Sequence, residues 1–345
     1  VLEASQATAL WITQPGQAEL RCESLPPPAP DEVRVRTRYS AISRGTERLV
    51  FNGKVPAAEY QRMRCPFQDG DFPAPVKYGY SAVGVAENGP LAGQWVYCLH
   101  PHQDYFQVPM AALVPVPACT EPRRAVLAAN LETAINAIWD VPVRVGARVR
   151  VVGAGMIGAL VAYLAVRTVG ARVQLIDVAP QRQALAQALG VEFASPEQAQ
   201  DQADVVFHAS ASAAGLATAL RLAGREAEVV ELSWYGDQPV AVPLGASFHA
   251  LRLRLISSQV GQVAPAQRPR WESQRRLALA LELLADPVLD VLLAPPQPFS
   301  QAPQVLADVC RSQEPALCQV LDYQDSFDGG NHVQRHRQPA FHDRP

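Results

Sequence analysis

The chain lacks a surplus of either charge. Thirty Lys and Arg stand against 33 Asp and Glu, a formal net charge of −3 with no basic stripe, so nucleic acid is not an expected partner. No run of 18 or more apolar residues occurs, which argues against a helical membrane span. There is also no amino-terminal charged-then-apolar signal and no lipidation motif at either end. The expectation from these absences is a soluble, cytoplasmic protein. Cys-x-x-Cys pairs are missing too. The six cysteines, Cys22, Cys65, Cys98, Cys119, Cys310 and Cys318, are scattered, which reads as reduced, mostly structural thiols rather than a disulfide framework or a zinc ribbon. Charged residues make up only 18% of the 345 and hydrophobic ones 48%, enough to bury a large core divided between two domains.

Thirty prolines cluster in Leu25–Pro30 and around 294–303, where strands and loops are expected because proline interrupts helix interiors. Residues 32–39 (Glu-Val-Arg-Val-Arg-Thr-Arg-Tyr) and 82–86 alternate at period two, as strands with one buried face do. From Arg123 to about Ser258 helical and strand patterns alternate, as a doubly wound parallel sheet requires. Its predicted strands are 148–152, 173–177, 204–207, 228–232 and 251–257. A helix is predicted over 272–285 from Leu277, Leu281 and Leu284, with its apolar face toward the first domain. A further strand is predicted near 316–321. Residues 324–345 lack apolar periodicity and read as a disordered tail, whose His332, His336 and His342 are not taken as ligands.

The most informative stretch is 149–158, Val-Arg-Val-Val-Gly-Ala-Gly-Met-Ile-Gly, followed at 173–177 by Val-Gln-Leu-Ile-Asp. A buried strand runs into Gly-x-Gly-x-x-Gly and then a long Ala/Leu/Val helix, and Asp177 lies 24 residues after Gly153, which is the dinucleotide fingerprint in its required setting. Gly153 permits the tight turn, Gly155 lets backbone amides approach a pyrophosphate, and Gly158 lets the helix pack on the strand. Met156, Ile157, Thr133 and Ser210 are further candidate cofactor contacts. Asp177 can accept both ribose hydroxyls and opposes a 2′-phosphate, so NAD(H) is preferred. Arg182 partly offsets that charge and leaves NADP(H) possible.

A β-rich amino-terminal domain, a Rossmann domain and a returning carboxyl-terminal segment resemble the medium-chain dehydrogenase/reductase superfamily over residues 8–323. The local marks are 41–47 (Ala-Ile-Ser-Arg-Gly-Thr-Glu), 77–85 (Lys-Tyr-Gly-Tyr-Ser-Ala-Val-Gly-Val) and the fingerprint. They look most like a zinc-lacking branch that includes bacteriochlorophyllide dehydrogenase-like proteins. The resemblance implies an α/β fold with a GroES-like catalytic domain at 1–130, a Rossmann NAD-binding domain at 131–261, and a return segment at 262–323 before the tail at 324–345. Zinc alcohol dehydrogenases carry a Cys in the first motif, Gly-His-Glu in the second and a Cys, Asp or Glu before the coenzyme domain. This chain has Ser43 or Arg44, Tyr80 with Ser81, and Ala129 there, and it lacks the four-cysteine structural lobe, so no zinc is expected.

Without metal, the carbonyl must be polarised by hydrogen bonds, since hydride transfer belongs to the nicotinamide. The catalytic candidates are Tyr80, Ser43, Thr46, Glu47 and Glu132. Tyr80 is the first choice for general acid, with Arg44 or Lys77 lowering its pKa; the alternative is that it fills the space left by the metal. For Glu47 the alternative is a salt bridge that fixes its loop. The segment 51–76, with Asn52, Tyr60, Arg62, Arg64, Gln68 and Asp71, is expected to form a polar wall of the substrate pocket. Arg268, Arg270 and Trp271 are candidates for the other wall, with His100, His102, Tyr105 and His208 nearby. The expected function is a zinc-independent NAD(H)-dependent oxidoreductase interconverting a secondary alcohol and a carbonyl on a polar or ring-bearing small molecule. The rivals are an NADPH-dependent enoyl or quinone reductase and a non-catalytic nucleotide-binding redox sensor. Residues 251–257 (Leu-Arg-Leu-Arg-Leu-Ile-Ser) at the sheet edge point to a homodimer.

Overall fold

The computed structural model describes residues 2, 3, 5–312 and 317–328. A hairpin of β1 (Ser5–Gln14) and β2 (Gln17–Leu25) opens the chain, followed by the long β3 (Glu32–Ile42), whose period-two alternation the sequence displays. Helix α1 (Arg44–Phe51) comes next, then the short β4 (Asp69–Gly70) and β5 (Val76–Lys77), then β6 (Ala82–Ala86), β7 (Trp95–Cys98), β8 (Tyr105–Pro109) and β9 (Val114–Pro115). Helix α2 (Ala128–Asp140) leads into the second layer system and runs through the expected division at residue 130.

There β10 (Arg148–Val152), α3 (Met156–Val166), β11 (Arg172–Ile176), α4 (Arg182–Ala188), β12 (Glu192–Ala194), β13 (Ala203–His208), α5 (Ala213–Leu222), β14 (Ala223–Glu231) and β15 (Arg254–Ser257) build a six-stranded, all-parallel sheet in the order β12-β11-β10-β13-β14-β15. The strand order reverses beside β10, the place where α/β sheets open a ligand crevice at their carboxyl ends. Helix α6 (Ser273–Leu283) buries Leu277, Ala280 and Leu281 in the core that also holds α2 and α3, with β9 alongside, so its apolar face serves both layer systems. The chain then returns: β16 (Gln297–Pro298), α7 (Ala302–Arg311) and β17 (Gln319–Asp322) join the β-rich side, where β17 runs antiparallel to β3 with Gln319 opposite Ile42. That sheet reads β16-β17-β3-β6-β7-β9, with β8 also on β3. The architecture is therefore two-domain α/β, a Rossmann-like parallel sheet beside a mixed catalytic-type sheet.

Two expectations need correction. Strand β15 begins at Arg254 rather than Leu251, because Arg252 adopts a left-handed φ of 54° and ends any extended run before it. The expected tail does not start as irregular chain. Tyr323 is fully buried, stacks on Phe299 at 4.1 Å, and anchors a helical turn, α8 (Asp325–Asp328). The rest of the tail, with His332, His336 and His342, lies outside the described residues. Among those described, no helix is long and apolar enough to cross a membrane.

Candidate active site

The nucleotide cradle is set by close packing at two glycines and openness at a third. A Cβ on Gly158 would fall 1.8 Å from the Gly153 carbonyl oxygen, and one on Gly153, whose φ is +106°, would fall 2.7 Å from the Ser210 amide nitrogen. A Cβ on Gly155 would meet nothing within 4 Å. Gly155 therefore faces open space at the amino end of α3, where the first-turn amides of Met156, Ile157 and Gly158 have no carbonyl one turn back. Asp177 caps β11: its Oδ2 accepts from the Ala154 amide at 2.7 Å and its Oδ1 from the Ala179 amide at 2.9 Å. Each oxygen keeps a lone pair for a hydroxyl donor. Val178 beside it is 83% exposed, an apolar ledge with no intramolecular use. These residues fit a dinucleotide.

Thr133 is half-buried on α2 with its hydroxyl bonded back to the Ala129 carbonyl, and Ser210 follows β13. Arg182 opens α4. Burial, and then the neighbouring charges of Arg48 and Arg182, hold the Arg44 guanidinium below its ordinary value, which sets cations of both layer systems near one another. Arg44 also donates to the carbonyls of Val309 and Ser312.

Four of the five catalytic candidates come together where β3 passes into α1. The Tyr80 phenol lies near Ser43, Thr46 and Glu47. Glu47 is buried; its Oε1 accepts from the Ser43 amide at 2.7 Å and its Oε2 lies 3.0 Å from His102 Nε2. The fifth, Glu132, is instead engaged by the buried Arg276 guanidinium at 3.0 Å, which also donates to Asn136 and to the Val260 and Gln262 carbonyls. That ion pair ties α2 to α6.

Several further expectations change. Neither Arg44 nor Lys77 lowers the Tyr80 pKa. Lys77 bonds to Glu23 and Gln103, while burial of the phenol, and then the Glu47 charge, push Tyr80 well above its ordinary value. The wall from 51–76 is not polar toward Tyr80: Arg62 pairs with Glu59 and Arg64 with Asp71 outside, while Tyr60, Phe72 and Tyr78 form an aromatic ladder ending 6.1 Å from Tyr80. Burial selects the rings for the inside and leaves the guanidinium groups in water. Trp271 packs 4.8 Å from Trp139 and under Arg275, so it braces α2. His100 is buried between Phe67 and Phe106 and donates to the Pro101 carbonyl, while burial lowers its pKa to about 3.

Two contributors escaped the sequence reading. Trp234, after β14, packs against the same core as Tyr60, Met63 and Tyr80. Glu231, at the end of β14, holds His208. The side chains of Ser43, Arg44, Tyr80 and Ala129 offer two hydroxyls, a guanidinium and a methyl, a poor donor set for zinc. Among the described residues no group of three or more His, Cys, Asp or Glu converges to hold a metal. Burial raises the thiols of Cys65, Cys98, Cys310 and Cys318 to about 12.

No protein-family model matches the sequence. Solved structures do. L-idonate 5-dehydrogenase of Escherichia coli str. K-12 substr. MG1655 superposes with a TM-score of 0.77 at 16% identity, over 93% of this chain and 100% of that one. A protein of Sinorhizobium meliloti 1021 called a zinc-binding dehydrogenase, bound to NADP, gives 0.73 at 18% identity, over 92% and 100%. An Escherichia coli CFT073 enzyme called a short chain alcohol dehydrogenase, complexed with NADH, gives 0.74 at 17% identity, over 92% and 100%. The fold is shared along nearly the whole of each chain.

Proposed function

We propose that the protein is a zinc-independent oxidoreductase, of the zinc-lacking medium-chain branch, that interconverts a secondary alcohol and a carbonyl on a ring-bearing small molecule, with NAD(H) preferred over NADP(H). The observation that carries the reading is the placement of the Tyr80 phenol near Ser43, Thr46 and Glu47, with Trp234 of the coenzyme side packed on the same core. In this reading residues 1–130 and 262–323 form the catalytic domain and 131–261 the coenzyme domain.

A bound nicotinamide would supply or accept the hydride. Tyr80 donates a hydrogen bond to the carbonyl oxygen and, in reduction, its proton. Ser43 and Thr46 orient the phenol, and Glu47 fixes Ser43 through the backbone. The aromatic ladder of Tyr60, Phe72 and Tyr78 excludes water and favours a ring-bearing substrate over a short aliphatic alcohol. Asp177 would hold the ribose hydroxyls of a bound dinucleotide, with the exposed Val178 as an apolar neighbour. The cations Arg44 and Arg182 favour the phosphates, and they also keep the NADPH-dependent enoyl or quinone reductase as second reading.

One titration separates these readings. NADH should bind more tightly than NADPH by fluorescence, and Asp177→Ala should weaken NADH by about 1–3 kcal/mol, the scale of bonds to a charged acceptor. Tighter binding of NADPH by the native protein would favour the second reading. Carbonyl reduction with NADH should persist after chelation; bound nucleotide without turnover on any carbonyl would leave a redox sensor.

A further inference from the structure

A second constellation lies at the carboxyl end of the parallel sheet. His208, the last residue of β13, is fully buried, with Nε2 2.7 Å from Ser210 Oγ and Nδ1 2.7 Å from Glu231 Oε2. The proton positions follow from the partners. Burial pushes the Glu231 carboxyl up, but hydrogen bonds from His208 and Ser233 outweigh it and hold the group below its ordinary value. Its Oε1 accepts from the Ser233 amide at 2.8 Å and its Oε2 also from the Tyr235 hydroxyl at 3.1 Å. A carboxylate only accepts, so His208 carries its proton on Nδ1 and leaves Nε2 as an acceptor for the Ser210 hydroxyl. Ser212, which accepts from the Gly215 amide at 3.0 Å, donates to Ser210 Oγ at 2.9 Å. Every proton in the chain is directed toward Glu231.

The room for this arrangement is made by a glycine. A Cβ on Gly215, in the first turn of α5, would lie 2.0 Å from Ser210 Oγ and 2.8 Å from His208 Nε2. Ser210 stands in the turn from β13 to α5, next to Ala211, whose φ of 51° is left-handed and strained for a residue with a Cβ. Ala211, Ser212, Ala213 and Ala214 are exposed, so small side chains flank the approach to the half-buried Ser210. A serine in a strained strand-to-helix turn, a histidine bonded through Nε2, and an acid on Nδ1 are the parts of an activated nucleophile.

We propose that Ser210 is such a nucleophile, acylated by small activated carboxylic esters, with His208 as general base and Glu231 as a positioning residue. Ser210 Oγ attacks the ester carbonyl while its proton passes to His208 Nε2. As the ester C–O bond breaks, that proton goes to the departing alkoxide, leaving acyl-Ser210 and an alcohol. Water then attacks the acyl carbon, its proton moves to His208 and on to Ser210 Oγ, and a carboxylic acid leaves. The Ala213 and Ala214 N–H groups in the first turn of α5, which have no carbonyl one turn back, are the donors proposed for the oxyanion.

The full-length protein is incubated with a fluorophosphonate, and tryptic peptides are read by mass spectrometry. The expected result is one adduct, on Ser210, with fluoride released, and with labelling that rises with pH. His208→Gln should slow labelling by about 10²–10⁴-fold, the range for losing a positioned base, and abolish that pH dependence. Glu231→Gln should slow it and displace the midpoint of the pH profile, which a merely structural residue would not do. Absence of an adduct on Ser210 in the wild-type protein overturns the proposal without recourse to any variant. So does an adduct that forms equally fast in a folded His208→Gln. The readout needs no nucleotide, so unlabelled Ser210 in a protein that oxidises NADH sinks this proposal alone, while labelled Ser210 in a protein that binds no NADH sinks only the dehydrogenase reading.

Discussion

Glu47 and His102 meet 3.0 Å apart, with side chains only 3% and 1% exposed, although 55 residues separate them in the chain. Glu47 uses its other oxygen on the Ser43 amide, and His102 uses Nδ1 on Ser40 Oγ at 2.8 Å, which in turn meets the Tyr323 hydroxyl at 2.8 Å. Gly79, with φ +140°, makes space for the ring: a Cβ there would lie 3.0 Å from His102 Cδ2. His102→Ala would leave the carboxylate buried and short of a donor beside a new cavity. It should cost about 3–5 kcal/mol in urea denaturation, the scale of breaking a buried pair from one side. An unchanged midpoint would show that Glu47 finds other partners.

Tyr80→Phe removes the phenol proton while keeping the ring against Tyr78. Carbonyl reduction should fall by roughly 10²–10⁴ in kcat, with little change in NADH affinity. Since burial and Glu47 push the phenol above its ordinary value, Tyr80 stays protonated through neutral and mildly alkaline pH. The native reduction rate should therefore show no alkaline limb from Tyr80 up to about pH 9, the region below an unperturbed tyrosine. Unaltered kcat in the variant would make Tyr80 a space-filler.

Periodicity carried the sheet. Arg148–Val152 matches its expected strand, its valines running into the glycine turn that closes it. β12 was missed, since three residues with one apolar ring hold no period. The two motifs, 41–47 and 77–85, point to Ser43, Thr46, Glu47 and Tyr80, but nothing local distinguishes Glu132, whose partner Arg276 lies 144 residues away. The same distance problem hid Glu231 and Trp234. Their roles depend on which strand ends are neighbours, and pairing of β13 with β14 is a tertiary fact. The Tyr80 shift runs opposite to expectation for a related reason: Lys77 stands near it in sequence and Arg44 in the neighbouring motif, yet both bond elsewhere.

His100 offers a test by pH. Its folded pKa is lowered to about 3 by burial, and an unfolded histidine titrates near about 6.5. Between those values the unfolded chain binds more protons, so the stabilisation is whole above the unfolded pKa and is lost as pH falls toward the folded one. The slope is at most about 1.4 kcal/mol per pH unit. His100→Phe keeps the stacking on Phe106, gives up the bond to Pro101, and removes the titration. Melting curves from neutral pH down to about 4 should be less acid-sensitive in the variant than in the native protein. Parallel curves would place the acid sensitivity elsewhere.

The last prediction concerns assembly. β15 pairs with β14 from Arg254 to Ser257 on one side and ends the parallel sheet on the other, with Leu255 38% exposed in its middle. An edge row of backbone donors and acceptors around an exposed leucine invites pairing with another strand, and closed two-fold pairing satisfies it without open-ended growth. The charged neighbours do not prevent this, because Arg254 is already paired with Glu228 at 3.1 Å. A C2 homodimer joining two such edges is therefore expected. Light scattering at micromolar concentration should give about twice the 37.3 kDa of one chain. Leu255→Asp, which sets like charges close together across a two-fold axis, should return the protein to monomer with its melting temperature nearly kept, since the residue is partly exposed within one chain. A native mass equal to one chain would refute edge pairing. A dimer that survives Leu255→Asp would move the interface to another face.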